Sequence, residues 1–214
     1  MDVLIVVATK LEAERLPRLP GARVVVSGIG PVNAALAAQE AILESRPNLV
    51  LSVGIAGAYP SSGLSIGDVC VSSEMVFAGL GAMDGTRFLN LETMGFPLLE
   101  RDDEHVYNTI QADSHASAFA SVTAAKLGPI LTVETVTGSL EMATDLEARV
   151  PGALAEGMEG AGVALAAARS GVGCLEIRAI SNMVGPRDRS GWRIPLALEA
   201  LTHALENGWS ALTS

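Results

Sequence analysis

The sequence predicts an α/β fold, in which the strands of a layered sheet are joined mostly by crossover helices. Strand-like and helix-like segments alternate along the chain, as this class requires. The 214 residues suffice for one sizeable domain. The composition, 49% hydrophobic and 4% aromatic, is that of a globular protein with an aliphatic core. No repeat, low-complexity tract or long linker interrupts the chain, so residues 1–214 are expected to form a single domain.

The predicted strands are short aliphatic or alternating runs, and the predicted helices lie between them. The strands are Val3–Ala8, Arg23–Ser27, Leu49–Gly54, Asp68–Ser72, Pro129–Val133 and Cys174–Ser181. The helices are Leu11–Leu16, Val32–Glu44, Leu140–Arg149, Met158–Arg169 and Pro195–Leu212. The segment Phe77–Ala112 mixes Gly, Asp, Thr and scattered aromatics and is predicted to be irregular. So long a loop in a compact domain indicates either a lid or dimer contact, or a plain surface excursion.

Charge and cysteine content limit the possible partners and location. A formal charge of −10 argues against binding nucleic-acid polymers or anionic membranes. An acidic ligand would therefore need local basic residues. Cys70 and Cys174 stand singly, which predicts buried, reduced thiols in a reducing compartment. The stretch "MDVLIVVATK" has no basic leader and is too short to span a bilayer, so it is predicted to be a core strand of a cytoplasmic protein.

Glycines follow two of the predicted strands. In "SGIGPVNAAL", Gly28 and Gly30 allow close backbone approach and Pro31 suits a helix start. Tight packing and ligand binding both explain this loop, which lacks the third glycine and later acidic residue of the dinucleotide fingerprint. In "SVGIAGAYP", the second strand ends near Ala56 and Gly57. Two such strand ends predict a shared ligand crevice at one edge of the sheet.

Several charged side chains occupy positions with two interpretations. Glu12 lies three residues after Thr9, which fits either a helix capping box or a functional carboxylate. Glu159 opens a very apolar helix and Glu156 lies three residues before it, which fits either a favourable helix-dipole interaction or a ligand contact. Arg178 lies inside a predicted strand and requires a carboxylate partner if it is buried.

The stretch "CLEIRAISNMVGPRDRSGW" ends a strand and then breaks. Asn182 stands at the strand end, before Gly185-Pro186 and the charges that follow. Open α/β sheets place ligand contacts at this position. Asparagine also favours turns there, so both interpretations remain open.

These segments together resemble the nucleoside phosphorylase/nucleosidase superfamily over nearly the whole chain. The matching segments, in chain order, are the acidic helix start at Glu12, "SGIGPVNAA", "SVGIAGAYP", "SIGDVCVSSE", "TGS", "GMEGAGVALAA" and "RAISN". The resemblance implies a three-layer α/β/α fold with a mixed central sheet, nucleoside phosphorylase-like.

Departures from the superfamily pattern indicate its hydrolytic branch. The phosphorylases carry a phosphate-binding arginine in the loop after the first strand, where this chain has Thr9, Lys10 and Glu12. A carboxylate there would repel phosphate, and the hydrolytic relatives use the residue matching Glu12 to activate water. The pair Met158-Glu159 matches the Met-Glu pair with which these hydrolytic relatives hold the ribose.

Further departures separate the chain from methylthioadenosine/S-adenosylhomocysteine nucleosidases. Those enzymes have Ser-Asp where this chain has Ser181-Asn182, and an aromatic residue where it has Thr135-Val136. Gly157 replaces a glutamate that they use near the ribose. The tail "VGPRDRSGW" resembles that of the futalosine hydrolase family, which belongs to the alternative menaquinone pathway.

The resemblance implies hydrolysis of the N-ribosidic bond of futalosine with release of hypoxanthine. The catalytic residues would be Glu12, as base for water, and Asn182, as donor to the purine. The substrate-binding residues would be Ala56, Gly57, Thr135, Val136, Met158, Glu159, Ser181 and Arg187. Arg189 and Arg193 are further candidates for the substrate carboxylate, with solvated loop charge as the alternative for each.

Neither a metal nor another cofactor is expected, because His105, His115 and His203 lack ligand-like spacing. The expected partners are a small nucleoside and further copies of the chain, as a dimer or larger oligomer with Phe77–Ala112 in its interface. Two other functions remain open. Asn182 argues against a methylthioadenosine/S-adenosylhomocysteine nucleosidase, and retained carboxylates argue against a non-catalytic nucleoside-binding protein of the same fold.

Overall fold

The computed structural model describes residues 1–101 and 104–213, and it confirms the predicted α/β class. The strands are β1 Val3–Val7, β2 Ala22–Val26, β3 Leu49–Ala58, β4 Val69–Phe77, β5 Gly81–Asp84, β6 Arg87–Asn90, β7 Leu99–Arg101, β8 Glu104–Val106, β9 Thr109–Gln111, β10 Lys126–Thr132, β11 Ala155–Gly157 and β12 Gly173–Met183. The helices are α1 Lys10–Arg15, α2 Pro31–Ser45, α3 Leu91–Met94, α4 His115–Thr123, α5 Leu140–Arg149, α6 Gly160–Ser170 and α7 Ile194–Thr213. Short 3₁₀ turns lie at Pro60–Ser62 and Arg189–Gly191.

The central sheet is mixed and partly closed. Its strand order is β11-β10-β4-β12-β3-β1-β2, with β9 added to β4. The pairs β4–β12, β4–β9 and β11–β3 are antiparallel, and the other pairs are parallel. Because β11 pairs with both β10 and β3, five of the strands close into a small barrel. The barrel brings the end of β11 beside the ends of β3 and β12.

Helices cover both faces of the sheet, which confirms the predicted three-layer arrangement. Val3, Ile5 and Val7 of β1 pack into a core shared with α4 and α7. Leu4 and Val6, which alternate with them, pack into a second core with α2 and α6. A parallel strand buried on both faces reads as a continuous aliphatic run, as β1 does. None of the helices in the described residues combines the length and apolar character needed to cross a membrane.

Small residues allow α2 and α6 to approach closely at their N-termini. A Cβ on Gly162 would overlap the backbone of Pro31, so the start of α6 packs directly against the start of α2. Gly30, the residue before α2, has φ +96°, a conformation that favours glycine. This contact places Glu159 beside the first glycine loop.

The prediction that Phe77–Ala112 is irregular was wrong in its described residues. The segment holds the β5–β6 hairpin, helix α3, the β7–β8 pair and β9. Asn108 organises it, since its Nδ2 donates to the carbonyls of Phe77 (2.9 Å) and Leu80 (2.7 Å) and its Oδ1 accepts from the Leu91 N–H (2.8 Å). Strands of three or four residues carry too little periodicity to be recognised from the sequence.

Candidate active site

A cavity of about 670 Å³ opens at the carboxyl ends of β1, β3 and β12. The loop after β10 and the residues between β11 and α6 complete its wall. All ten residues selected from the sequence line this cavity: Glu12, Ala56, Gly57, Thr135, Val136, Met158, Glu159, Ser181, Asn182 and Arg187. Ile29 from the first glycine loop also lines it, so the predicted shared crevice is present.

Glu12 both caps α1 and faces the cavity. The capping box is confirmed, because the Glu12 N–H donates to Thr9 Oγ1 (3.2 Å) and Glu12 Oε2 accepts from the Thr9 N–H (2.9 Å). Thr9 Oγ1 also donates to Oε2 (2.8 Å), and the Ile55 N–H donates to Oε1 (3.2 Å). Three donors hold a carboxylate that is 5% exposed. The capping and functional interpretations therefore describe the same side chain in one fixed orientation.

Arg178 lies buried among carboxylates, which confirms the predicted pairing. Its Nε donates to Glu176 Oε1 (2.7 Å), and its Nη2 donates to Ser52 Oγ (3.1 Å) and to Glu159 Oε2 (3.4 Å). Burial favours the neutral form, but the surrounding glutamates, Glu176 first and then Glu159 and Glu12, raise the pKa of Arg178 above its ordinary value. The guanidinium is therefore a permanent positive charge beneath the cavity.

Glu176 completes the ion cluster from below. Burial raises its pKa, and the neighbouring Arg178 opposes that shift. Oε2 of Glu176 has no hydrogen-bond partner among the described residues. A Cβ on Gly160 would overlap this carboxylate, so the glycine at the start of α6 leaves the space that Glu176 occupies.

Glu159 does not cap α6, although it is the residue before the helix. Its side chain makes no capping hydrogen bond, although its place at the N-terminus of α6 keeps the predicted helix-dipole interaction open. Instead, Oε1 accepts from the Gly30 N–H (3.1 Å), and Oε2 accepts from the Met158 N–H (3.3 Å) and from Arg178. Helix α6 also begins two residues later than predicted. The carboxylate is turned toward the glycine loop and the cavity.

Asn182 lies within β12 and is not a turn residue. It pairs with Gly57 of β3 after a bulge between Ile180 and Asn182, and the strand continues to Met183. Its Oδ1 accepts from Ser181 Oγ (2.8 Å) and its Nδ2 donates to the Met183 carbonyl (3.1 Å). One N–H hydrogen of the amide has no partner among the described residues, and the side chain faces the cavity.

The three arginines of the tail differ in their relation to the cavity. Arg187 lines it and lies 5.8 Å above the Trp192 ring. Arg189 lies 5.9 Å from the same ring, and Arg193 donates to the carbonyls of Ser190 and Trp192. Within residues 1–101 and 104–213, Arg187 is the one cationic side chain in the cavity wall.

The cavity wall also contains Glu156, which the sequence analysis noted but did not include among the binding residues, and Thr137, which it did not name. A charged residue in the short, otherwise small or apolar run before Gly157 was the available signal. The described residues of Phe77–Ala112 contribute nothing to the wall. The arrangement can activate water at one carboxylate, bind hydroxyls at another and donate hydrogen bonds to a heteroaromatic ring from an amide.

Comparison with known proteins places the chain among nucleoside-processing enzymes. Residues 9–210 match the family model of the phosphorylase superfamily. The futalosine hydrolase of Streptomyces coelicolor is 42% identical over 89% of this chain and 80% of its own length. The futalosine hydrolase of Acidothermus cellulolyticus is 42% identical over 86% of this chain and 73% of its own length.

A solved structure supports the fold. The 5′-methylthioadenosine/S-adenosylhomocysteine nucleosidase of Neisseria meningitidis, in complex with methylthio-immucillin-A, superposes with a TM-score of 0.80 at 19% identity, covering 98% of this chain and 99% of that one. The chain belongs to the phosphorylase superfamily and, within it, to the futalosine hydrolase family.

Proposed function

We propose that this protein hydrolyses the N-ribosidic bond of futalosine, releasing hypoxanthine and dehypoxanthine futalosine in menaquinone formation. The observation that carries the proposal is one cavity that brings together the buried carboxylates of Glu12 and Glu159 and the amide of Asn182. The likeness to futalosine hydrolases at 42% identity supports the choice of substrate.

Each of these side chains has a distinct task in the proposed reaction. Cleavage builds positive charge on the ribose while electrons move into the purine, as in other glycoside hydrolysis. Glu12 accepts the proton of the attacking water. Glu159 binds ribose hydroxyls and stabilises positive charge on the sugar. Asn182 donates hydrogen bonds to the departing base.

The charge of the cavity favours water over phosphate as the nucleophile. Glu12 and Glu159 are both carboxylates, and Arg178 already compensates Glu159 and Glu176. A phosphate anion placed against Glu12 would be repelled at short range in a partly dehydrated site. Neutral water carries no such penalty.

The substrate carboxylate has one suitable partner in the cavity wall, Arg187. A guanidinium binds a carboxylate through two parallel hydrogen bonds. Its position over Trp192 restrains the side chain at the rim. On a protein with a formal charge of −10, this local cation offsets the general repulsion of an acidic substrate.

The proposal includes a cytoplasmic location. Cys70 and Cys174 are both buried free thiols, and burial raises the pKa of Cys70 to about 12. Neither thiol is therefore poised for oxidation, as is usual for structural cysteines in a reducing compartment.

The proposal also includes a homo-oligomer, dimeric or larger. Val32, Leu36 and Leu43 lie on one face of α2 and are each about 70% exposed. The stripe leads toward Ile29, which lines the cavity. Residues of Phe77–Ala112 pack on the same core as α2, so both lie on one side of the sheet. The described residues of this segment do not line the cavity of their own chain. If the segment covers the 5′ end of a substrate, it must therefore do so in the cavity of a second copy.

Replacing Glu12 by Gln is expected to lower the single-turnover rate of hypoxanthine release by roughly 10²-fold or more, because an amide cannot take the proton from water. Glutamine can also complete a capping box with Thr9, so the thermal midpoint should change little. Glu14→Gln, on the exposed side of the same helix, is the matched control. Near-normal turnover per folded molecule would contradict the assignment of Glu12 as the base.

Replacing Asn182 by Asp is expected to lower kcat/KM for futalosine by one to two orders of magnitude and to narrow the gap to the 6-amino analogue. The N–H of the amide that does not bind the Met183 carbonyl can donate to the edge formed by the purine carbonyl oxygen and the adjacent ring nitrogen, whereas a carboxylate presents only acceptors to that edge. Mismatched groups of this kind cost roughly 1–3 kcal/mol. Asn207→Asp, exposed on α7, is the control. An unchanged ratio of specificity constants would remove Asn182 from base recognition.

Replacing Leu36 by Glu is expected to shift the protein to monomers in light scattering and to lower activity at the same concentration, because a charge would enter the apolar stripe of α2. Val122→Glu, at an exposed position of α4 on the other face of the sheet, should change neither property. A wild-type monomer with full activity at assay concentration would refute the oligomer.

A further inference from the structure

Glu156 is a buried carboxylate in the cavity wall that has no part in the reaction described above. It lies in β11 and is 6% exposed. A carboxylate removed from water must be matched by hydrogen-bond donors, and any oxygen site left over is available to a ligand. The donors around Glu156 can be counted.

Three protein donors reach this carboxylate. Oε1 accepts from the Thr137 N–H (2.8 Å), and Oε2 accepts from Thr137 Oγ1 (2.6 Å) and from the Tyr59 hydroxyl (2.9 Å). A carboxylate offers about four acceptor sites, two on each oxygen. Both sites of Oε2 are therefore filled, and one site of Oε1 remains for a donor from the cavity.

Tyr59 keeps Glu156 in the role of an acceptor. Its side chain is fully buried and lies outside the cavity wall. Burial and the adjacent Glu156 raise the pKa of Tyr59, so the phenol stays protonated and donates. Tyr59 therefore holds the carboxylate from outside the cavity wall, while Glu156 itself lines the cavity.

Strand register places Glu156 opposite Asn182. Gly57 of β3 pairs with Glu156 on one side and with Asn182 on the other. Residues paired in register project to the same face of a sheet, and two strand spacings separate the outer pair by roughly 10 Å. A Cβ on Gly57 would lie 3.0 Å from Asn182 Nδ2 and from Val184 Cγ2, so the glycine lets both side chains lie close to the strand. Glu156 and Asn182 both line the cavity, which is where a base would contact them.

We propose that Glu156 accepts the N1–H hydrogen of the 6-oxopurine and is, with Asn182, a specificity-determining residue for the base. This inference rests on the proposed function, since it takes the purine to lie against Asn182. A 6-oxopurine carries a hydrogen on N1 beside its carbonyl oxygen. Adenine has a lone pair at N1, which would face the carboxylate oxygen, acceptor against acceptor. Asn182 therefore binds the carbonyl and imidazole edge, and Glu156 binds the neighbouring position.

The test is equilibrium binding of free bases, which does not depend on catalysis. Dissociation constants for hypoxanthine, 1-methylhypoxanthine and adenine are measured by calorimetry with the wild type, Glu156→Gln and Tyr59→Phe. The wild type is expected to prefer hypoxanthine to both other bases. In Glu156→Gln the preference for hypoxanthine over adenine should fall roughly 10-fold or more, because the new amide can donate to N1 of adenine.

The methylated base tests whether Glu156 contacts the N1–H hydrogen directly, and the tyrosine variant tests whether the base preference depends on the hydrogen bond from Tyr59. Methylation at N1 removes the hydrogen that Glu156 would accept. The loss of affinity from hypoxanthine to 1-methylhypoxanthine should therefore be large in the wild type and much smaller in Glu156→Gln. Tyr59→Phe removes a donor behind Glu156 but leaves its cavity side intact, so the preference should stay within about 3-fold of the wild type. If Glu156→Gln weakens the binding of hypoxanthine and of adenine by the same factor, the inference is overturned. Glu156 would then serve only to hold Thr137 in place.

Futalosine hydrolysis by the wild type is measured in parallel. Selective hypoxanthine binding that depends on Glu156, without release of base from futalosine, would sustain the inference while refuting the proposed function. If the wild type hydrolyses futalosine but its base preference does not depend on Glu156, the proposed function stands and the inference about Glu156 is refuted.

Discussion

The guanidinium of Arg178 is buried among carboxylates from three parts of the chain, and their positions depend on its charge. Glu176 lies on the same strand, Glu159 precedes α6, and Glu12 caps α1. Removing the positive charge would leave buried carboxylates uncompensated, which is strongly destabilising in a protein interior. The same ion cluster therefore stabilises the junction of α1, β12 and α6 and orients the two carboxylates proposed to act on the sugar.

The site uses interactions that also serve the fold. The hydrogen bonds that make Glu12 a capping residue also fix its carboxylate against Ile55 of β3. The Gly30 N–H, which lies at the contact of α2 with α6, binds Glu159. Closure of the barrel by β11 sets Glu156 and Asn182 on either side of Gly57. Hydrogen bonds of the fold therefore orient these side chains without a ligand, and such preorganisation lowers the entropic cost of binding.

The long elements and the site were predictable from the sequence to different degrees. Aliphatic runs such as Val3–Val7 and helices with clear start signals, such as α2 at Pro31, were recognised because their periodicity and caps are local properties. The strands of three or four residues between Gly81 and Gln111, β11 at Ala155–Gly157, and helix α4 were missed. The pairing of β11 with β3 joins residues about 100 positions apart, and no local pattern encodes such a register. Glu156 was therefore visible as a charged residue, but its position opposite Asn182 was not.

The measurement that tests the account most directly is a competition among futalosine, inosine and methylthioadenosine, with and without phosphate, in which the released base is separated by chromatography. Hydrolysis at a site with Asn182 and two carboxylates predicts hypoxanthine from futalosine as the main product, at a rate that does not change with phosphate. Preferential release of adenine from methylthioadenosine, or a rate that requires phosphate, would contradict it.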